Sequence, residues 1–283
     1  MTWRYAICNE LFEGWPLGRV ARFCRDLGYE GLELAPYTLA ESVDALSPAD
    51  RAGIRREIEA EGMRVVGLHW LLARTDGLQL NDLDPAVRER TVRYLLAEID
   101  LCADLGGDVL VLGSPAQRAP GPGVTPDEAW RYTADAMRRC GERASQRGVT
   151  FCIEALPEPE CSFITNVAEA ARLVRQVDMP GFAMIVDVKA MAHDPPPLDV
   201  QVRSVGALIR HVHVNDPNLL GPGMGEVDVA PVLQALREIG YDGWVSVEAF
   251  DATYGVEAIA RESMANLRAA DPRLAADAPT HTQ

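Results

Sequence analysis

The sequence predicts an α/β protein built as a single (β/α)8 barrel, the TIM barrel. Strand-like and helical patterns alternate along the whole chain, eight segments of each kind can be distinguished, and no change in composition divides the 283 residues. A doubly wound open sheet is the structural alternative. However, the segment after the first strand, Asn9-Glu10-Leu11-Phe12, carries no glycine-rich phosphate fingerprint.

The eight predicted strands are short runs rich in β-branched and other apolar residues. They are Arg4–Asn9, Gly31–Ala35, Arg64–His69, Asp108–Gly113, Val149–Ala155, Phe182–Asp187, Ile209–Asn215 and Gly243–Ala249.

The predicted helices lie between these strands. Several begin near a proline or a capping residue such as Ser47, and several end at a glycine such as Gly62. They are Pro16–Leu27, Pro48–Ala60, Pro85–Leu105, Pro126–Gln146, Val167–Val177, Leu198–Leu208, Val229–Ile239 and Val256–Ala269. We assign residues 1–270 to the barrel and residues 271–283 to a C-terminal tail that we expect to be flexible.

The composition disfavours certain classes of binding partner. The chain carries 27 Lys and Arg against 42 Asp and Glu, a net charge of −15, which argues against a nucleic-acid partner because such binding depends on neutralising phosphates. No apolar run is long enough to predict a membrane span, and the N-terminus has no signal-peptide pattern. The six cysteines form no Cys-x-x-Cys pair, so they are read as buried thiols. We therefore expect a cytoplasmic protein without a membrane partner.

Four polar residues end four consecutive predicted strands: Glu154, Asp187, His213 and Glu248. Because the C-terminal ends of parallel barrel strands meet on one face, these side chains are expected to converge. So much negative charge at one point favours a bound divalent cation. Three carboxylates and one imidazole form a mainly hard ligand set, which suits Mn²⁺ best, with Mg²⁺ and Co²⁺ as alternatives.

This pattern, with the His-x-His pair His211 and His213 on strand seven, resembles the sugar phosphate isomerase/epimerase-like family of the xylose isomerase-like superfamily. Within it the chain is similar to the ketose 3-epimerases, from about Tyr5 to Leu267. The resemblance implies a small-molecule carbohydrate substrate and allows a homo-oligomer. It also implies that the four strand-end residues bind one divalent metal.

The resemblance further implies that Glu154 and Glu248 move a proton next to a carbonyl through a cis-enediolate, and that Glu160 contacts substrate hydroxyls. Two positions depart from the epimerases, which carry a histidine at the position of Ala190 and an arginine at the position of Leu219. In the epimerases, those two positions contact the sugar and not the metal. The departures therefore leave the identity of the substrate undetermined.

Other polar residues near the strand ends are weaker candidates. Glu33 is expected to face the same cavity, and His211 to fix the orientation of His213. The remaining predicted substrate contacts are His69, Trp70, Ser114, Lys189 and Asn215. No Lys or Arg lies between Val214 and Asp228, which favours an unphosphorylated ketose or modified sugar.

Three alternatives remain open at this point. The first is a lyase, of the dehydratase or deglycosidase type, acting on a 3-keto sugar or inositol derivative through the same enediolate. The second is an apurinic endonuclease of the same superfamily, which is expected to need more histidines and a basic surface. The third is a barrel without catalytic activity.

Overall fold

A computed structural model describes residues 3–158 and 160–271, and in it the strands form a closed barrel. All eight strands are parallel and follow one another in chain order, with the last strand pairing with the first. The predicted (β/α)8 barrel is thus confirmed. The strands are β1 (Arg4–Cys8), β2 (Gly31–Leu34), β3 (Arg64–Leu68), β4 (Val109–Leu112), β5 (Thr150–Ile153), β6 (Phe182–Asp187), β7 (Ile209–Val214) and β8 (Trp244–Val247).

The helices between the strands agree with the sequence pattern, apart from boundary shifts. They are α1 (Leu17–Leu27), α2 (Pro48–Ala60), α3 (Pro85–Asp104), α4 (Pro115–Arg118), α5 (Pro126–Arg147), α6 (Val167–Val177), α7 (Val188–Met191), α8 (Leu198–Val205), α9 (Ala230–Glu238) and α10 (Val256–Ala270). Helices α4 and α7 were not predicted, because a single turn is too short to show a helical period.

A small apolar cluster fills the barrel below the strand ends. Cys152 and Ile185, which the alternation of side chains along β5 and β6 predicts to point inward, belong to it, together with Val111 and Trp244. This packing closes the floor beneath the polar residues above. All six cysteines are buried free thiols, as predicted.

The barrel extends to Asp271, which we had assigned to the tail. Asp271 is fully buried, and its Oδ2 accepts a hydrogen bond of 2.8 Å from the hydroxyl of Tyr5 in β1. The rest of the predicted tail, residues 272–283, lies outside the described residues. Among the described residues, no helix combines the length and the apolar character needed to cross a membrane.

Candidate metal centre and its cavity

The four predicted ligands meet at the C-terminal face of the barrel. Glu154 follows β5, Asp187 ends β6, His213 lies in β7 and Glu248 follows β8, and all four are buried. One donor atom from each lies within 4.8 Å of the donor atoms of the other three. The strand-end geometry expected from the sequence is therefore present.

The imidazole of His213 points one nitrogen into this cluster. Its Nδ1 lies 3.2 Å from Glu248 Oε2 and 3.9 Å from both Glu154 Oε1 and Asp187 Oδ2. This Nδ1 is buried and has no hydrogen-bond partner. A buried nitrogen left unpaired among three carboxylates is suited to ligate a cation, because an unsatisfied polar atom in the interior is otherwise costly.

The other nitrogen of His213 is held by Glu33 of β2. Glu33 is fully buried, and its two oxygens lie 3.1 Å from His213 Nε2 and 2.8 Å from His211 Nε2. The sequence suggested that His211 would fix His213. In the structure the two imidazoles instead share one carboxylate, so His211 acts on His213 through Glu33. A carboxylate behind a ligating imidazole fixes its tautomer and increases its basicity.

The electrostatics of the cluster show an excess of negative charge. Burial, with repulsion from Glu248 and Asp187, raises the pKa of Glu154 to about 8. Burial and Glu248 also raise the pKa of Asp187. For His213, burial lowers the pKa, but the carboxylates of Glu248 and Glu33 outweigh it and raise the pKa well above its usual value. Carboxylates buried at one point raise one another's pKa by repulsion, and a bound divalent cation would relieve that repulsion.

Asp187 is fixed by both of its oxygens. Oδ1 accepts a 2.6 Å hydrogen bond from the backbone N–H of Ala190 and so caps α7, while Oδ2 accepts one of 2.7 Å from the side-chain amide of Asn215. The Asn215 carbonyl oxygen in turn accepts from the backbone N–H of Lys189 at 2.8 Å. Asn215 stays a predicted substrate contact, and in the structure both ends of its amide are engaged within the protein, one of them by Asp187.

Glu248 is held by two residues that were predicted to contact substrate. Its Oε1 accepts from Trp70 Nε1 at 3.1 Å and lies 3.2 Å from His69 Nδ1, which leaves Oε2 facing His213. On its far side, His69 Nε2 lies 2.9 Å from Glu10 Oε2. Burial lowers the pKa of His69, but Glu10 and Glu248 together raise it well above its usual value.

Glu10 is a site residue that the sequence did not reveal. It lies in a short 3-10 turn, Asn9–Phe12, directly after β1, and its side chain is 9% exposed. The position after a barrel strand is the signal that could have identified it. In the sequence pattern, this segment is notable only for carrying no glycine-rich phosphate loop.

Glu154 occupies space that a glycine leaves open. A Cβ on Gly113, directly after β4, would collide with Glu154 Oε2. The backbone carbonyl of Glu154 accepts from the guanidinium of Arg118 in α4, a fully buried side chain that also lies 3.4 Å from the carbonyl of Leu112. Arg118 thus ties the end of β5 to the end of β4. Nothing in the sequence pattern identifies this arginine.

The cluster opens into a cavity of about 340 Å³, which we call the inner cavity. Predicted residues line it: His69, Trp70, Ser114, Glu154, Glu160, Lys189, His213 and Glu248. Lys189 Nζ pairs with Glu160 Oε1 at 2.6 Å and lies 5.2 Å from the centre of the Phe250 ring. Ser114 Oγ accepts a 3.0 Å hydrogen bond from the backbone N–H of Leu72.

Leu219 and Phe250 add an apolar wall to the inner cavity. The backbone carbonyl of Leu219 accepts from the N–H of Phe250 at 2.8 Å, which joins the loop after β7 to the loop after β8. Phe250 was missed by the sequence reasoning. Leu219 stands where the ketose 3-epimerases carry an arginine, so at this point a leucine side chain faces the cavity.

Fold and site together define a TIM-barrel protein whose polar cluster lies where barrel enzymes carry their active sites. The sequence profile of the xylose isomerase-like TIM barrel family matches residues 21–270, and the chain belongs to this family. The resemblance inferred from the four strand ends is therefore confirmed at the level of the family.

Two relatives in the comparison are 3-epimerases, which are enzymes of the isomerase class. D-psicose 3-epimerase of Ruminiclostridium cellulolyticum is 29% identical over 121 residues, 43% of this chain and 41% of that protein. L-ribulose 3-epimerase of Mesorhizobium japonicum is 25% identical over 230 residues, 78% of this chain and 72% of that protein. The chain thus spans less than half of the psicose epimerase in this match.

A solved structure extends the likeness to the whole barrel. The crystal structure of 3-keto-D-glucoside 4-epimerase from Escherichia coli superposes with a TM-score of 0.81 at 19% identity. The superposition covers 95% of this chain and 100% of that one. At this level of identity the likeness shows the shared fold.

Proposed function

We propose that this protein is a divalent-metal-dependent epimerase that moves a proton next to the carbonyl of a keto sugar through a cis-enediolate. One observation carries the proposal: Glu154, Asp187, His213 and Glu248 bring donor atoms within 4.8 Å of one another at the C-terminal face of the barrel. The unpaired, buried Nδ1 of His213 and the raised pKa of Glu154 fit a cation between them. The ligand set favours Mn²⁺, with Mg²⁺ or Co²⁺ as alternatives.

A bound cation would polarise the substrate carbonyl and stabilise the negative charge that develops on its oxygen. Proton transfer itself falls to Glu154 and Glu248, whose surroundings differ. Glu248 is fixed through Oε1 by Trp70 and His69. Among the described residues, no side chain donates a hydrogen bond to the carboxylate of Glu154. Glu154 therefore has no side-chain hydrogen bond to break when it takes up or releases a proton, whereas Glu248 is held in a fixed direction.

The proposed substrate is an unphosphorylated keto sugar or a derivative of one. Lys189 is the one Lys or Arg among the residues that line the inner cavity in the described part of the chain, and it is already paired with Glu160. Such a cavity suits hydroxyl groups better than a phosphate. The named relatives act on free ketoses or on a keto-glucoside, by their names, and this favours an epimerase over the lyase alternative.

The test combines metal content with proton exchange. Protein freed of metal with a chelator and reloaded with Mn²⁺ is incubated in D₂O with D-fructose, D-psicose and a 3-keto-glucoside. NMR then detects deuterium at the carbon next to the carbonyl. An active epimerase incorporates deuterium and forms an epimer, whereas a lyase releases a fragment of the substrate.

Two variants and one control locate the activity. We expect His213→Ala to lose the metal, because the imidazole is a ligand. Glu154→Gln should retain part of the metal and lose turnover by a factor of about 10² to 10⁴, as is usual when a proton-transferring group is removed. Glu158→Gln, an exposed residue of the same loop, serves as the matched control. If both site variants equal the parent in metal and in turnover, the assignment is wrong.

A further inference from the structure

A second cavity lies directly beside the inner cavity. It has a volume of about 630 Å³, and we call it the outer cavity. Trp70, Ser114, Pro115 and Phe250 line both cavities, so the two are contiguous. The inner cavity has a volume of about 340 Å³. This volume lies within the range of about 300–1,000 Å³ found for small-molecule sites, near its lower end. A free monosaccharide fits there and leaves the outer cavity unused.

The lining of the outer cavity is mainly aromatic and apolar. Three rings face it, those of Tyr37, Trp70 and Phe250, and small side chains such as Ala73 and Ala252 leave space between them. The Trp70 and Phe250 rings lie 6.0 Å apart, centre to centre. The two rings are tilted by 60° and pack against each other, so a further ring can stack only on the side of this pair that faces the cavity.

The charged groups of the outer cavity are largely neutralised. Arg74 donates to both oxygens of Glu13 at 2.8 and 3.0 Å, and its guanidinium lies 4.1 Å from the centre of the Tyr37 ring. Arg74 and Glu13 thus offset each other's charge, and Glu10 adds a further carboxyl group to the lining, so the cavity offers no net positive charge to an anion. The cavity therefore favours a neutral ring over a phosphate or a carboxylate.

We propose that the outer cavity is a substrate subsite, and that the substrate is a keto sugar glycosidically linked to a second group with a flat apolar or aromatic ring. This inference rests on the proposed function. The keto sugar occupies the inner cavity, and the attached ring occupies the outer one, against the cavity-facing side of the Trp70 and Phe250 pair. Binding energy from a group remote from the reacting carbon can then be used to orient that carbon.

Trp70 connects the two cavities. Its ring lines both of them, and its Nε1 donates to Glu248 Oε1 at 3.1 Å. A ring stacked on Trp70 therefore contacts the same side chain that fixes the carboxylate of Glu248. The alternative use of the outer cavity is an entrance through which any sugar passes, and in that case an attached ring gains nothing.

The experiment compares substrates that differ only in the attached group. Mn²⁺-loaded protein is given methyl 3-keto-β-D-glucoside, phenyl 3-keto-β-D-glucoside and D-fructose, and deuterium exchange from D₂O is followed by NMR. Ala116→Phe and Ala252→Phe fill the outer cavity from two sides, since both alanines are exposed and line only that cavity. Ala49→Phe, at an exposed position of α2, is the matched control.

In the parent and in Ala49→Phe, we expect the phenyl glycoside to exceed the methyl glycoside in kcat/KM by about 10- to 100-fold. Both filled variants should reduce this ratio to near one. Equal kcat/KM for the two glycosides in the parent, or a ratio unaffected by the filled variants, shows that the outer cavity is only an entrance. Exchange with D-fructose alone also refutes the subsite but leaves the proposed function intact.

If none of the three substrates exchanges, the proposed function fails, and binding decides the subsite separately. Saturation-transfer NMR with the unreactive phenyl and methyl β-D-glucosides then measures contact with the protein directly. Phenyl signals that weaken in Ala252→Phe but not in Ala49→Phe support the subsite. Phenyl signals that are the same in both variants overturn it.

Discussion

Glu33 Oε1 lies 3.1 Å from Nε2 of His213, and the two residues are 180 positions apart in the chain. Burial by itself raises the pKa of Glu33, but the two imidazoles of His211 and His213 outweigh it and hold the pKa well below its usual value. Glu33 is therefore a fixed anion behind the imidazole whose other nitrogen faces the candidate metal position.

Replacing Glu33 with glutamine tests this arrangement. Glu33→Gln keeps the shape of the side chain but removes the charge and one acceptor, so His213 becomes less basic and less firmly oriented. We expect a loss of about 10- to 100-fold in Mn²⁺ affinity, measured by isothermal titration with the chelator-treated protein. Glu30→Gln, at an exposed position close in sequence, is the control. Unchanged affinity in Glu33→Gln contradicts the role given to Glu33.

Glu10 offers a second test, because its carboxylate lies 2.9 Å from His69, which in turn holds Glu248. Removing its charge with Glu10→Gln weakens the hold of His69 on Glu248 without touching a proposed ligand. We expect kcat to fall by about tenfold, which is less than the rate factor of about 10² to 10⁴ that general acid–base catalysis contributes. The Mn²⁺ content should be retained. The exposed Glu41→Gln is the control. A changed KM at constant kcat indicates instead that Glu10 contacts substrate.

The sequence predicts the four central residues because each stands at the end of a short apolar run. In a barrel, that position alone directs the side chain to the C-terminal face. For Glu154, Asp187, His213 and Glu248 no knowledge of distant pairing is needed, and the structure brings all four together. The barrel itself follows from the alternation of strands and helices.

The supporting residues could not be derived in the same way, since their roles depend on which distant side chain they meet. Glu33 lies 178 positions from His211, and His69 lies 179 positions from Glu248. Asn215 shows the same limit, because its place after β7 predicts a substrate contact but cannot reveal that its side-chain amide lies 2.7 Å from Asp187 Oδ2. Contacts between side chains across the barrel are a property of packing, not of local pattern.

The close approach of Gly113 and Glu154 leads to a steric prediction. In Gly113→Ala the new Cβ collides with Glu154 Oε2, so the carboxylate must move. This shift of the carboxylate is expected to reduce turnover by about 100-fold while the fold is retained. Gly53→Ala in α2 is the matched control, since a Cβ there meets nothing within 4 Å. It should stabilise the protein by about 0.5–1 kcal/mol.

Thermal denaturation and deuterium exchange distinguish the two glycine variants. If Gly113→Ala keeps parental turnover, the carboxylate of Glu154 has room that the structure does not show. If Gly113→Ala unfolds at a much lower temperature than the parent, the strand end cannot absorb the methyl group, and the variant reports on stability instead of on catalysis.

The raised pKa of Glu154 predicts how pH affects the metal. An unfolded glutamate ionises near a pH of about 4.3, whereas burial and repulsion from Glu248 and Asp187 raise the pKa of Glu154 in the folded protein to about 8. Between these values the unfolded chain releases a proton that the folded protein keeps. The stability of the metal-free protein, as far as this group determines it, therefore falls as the pH rises through that window.

A cation that takes the place of the proton on Glu154 removes this loss of folding stability at high pH. Metal should therefore stabilise the protein more at pH 8 than at pH 5.5. We expect the difference in Tm between Mn²⁺-loaded and chelator-treated protein to increase over that range, and the apparent Mn²⁺ affinity to rise by up to about tenfold per pH unit. In Glu154→Gln, which cannot ionise, both increases should be smaller. A Tm difference that stays constant or shrinks with rising pH means that Glu154 is already ionised without the metal.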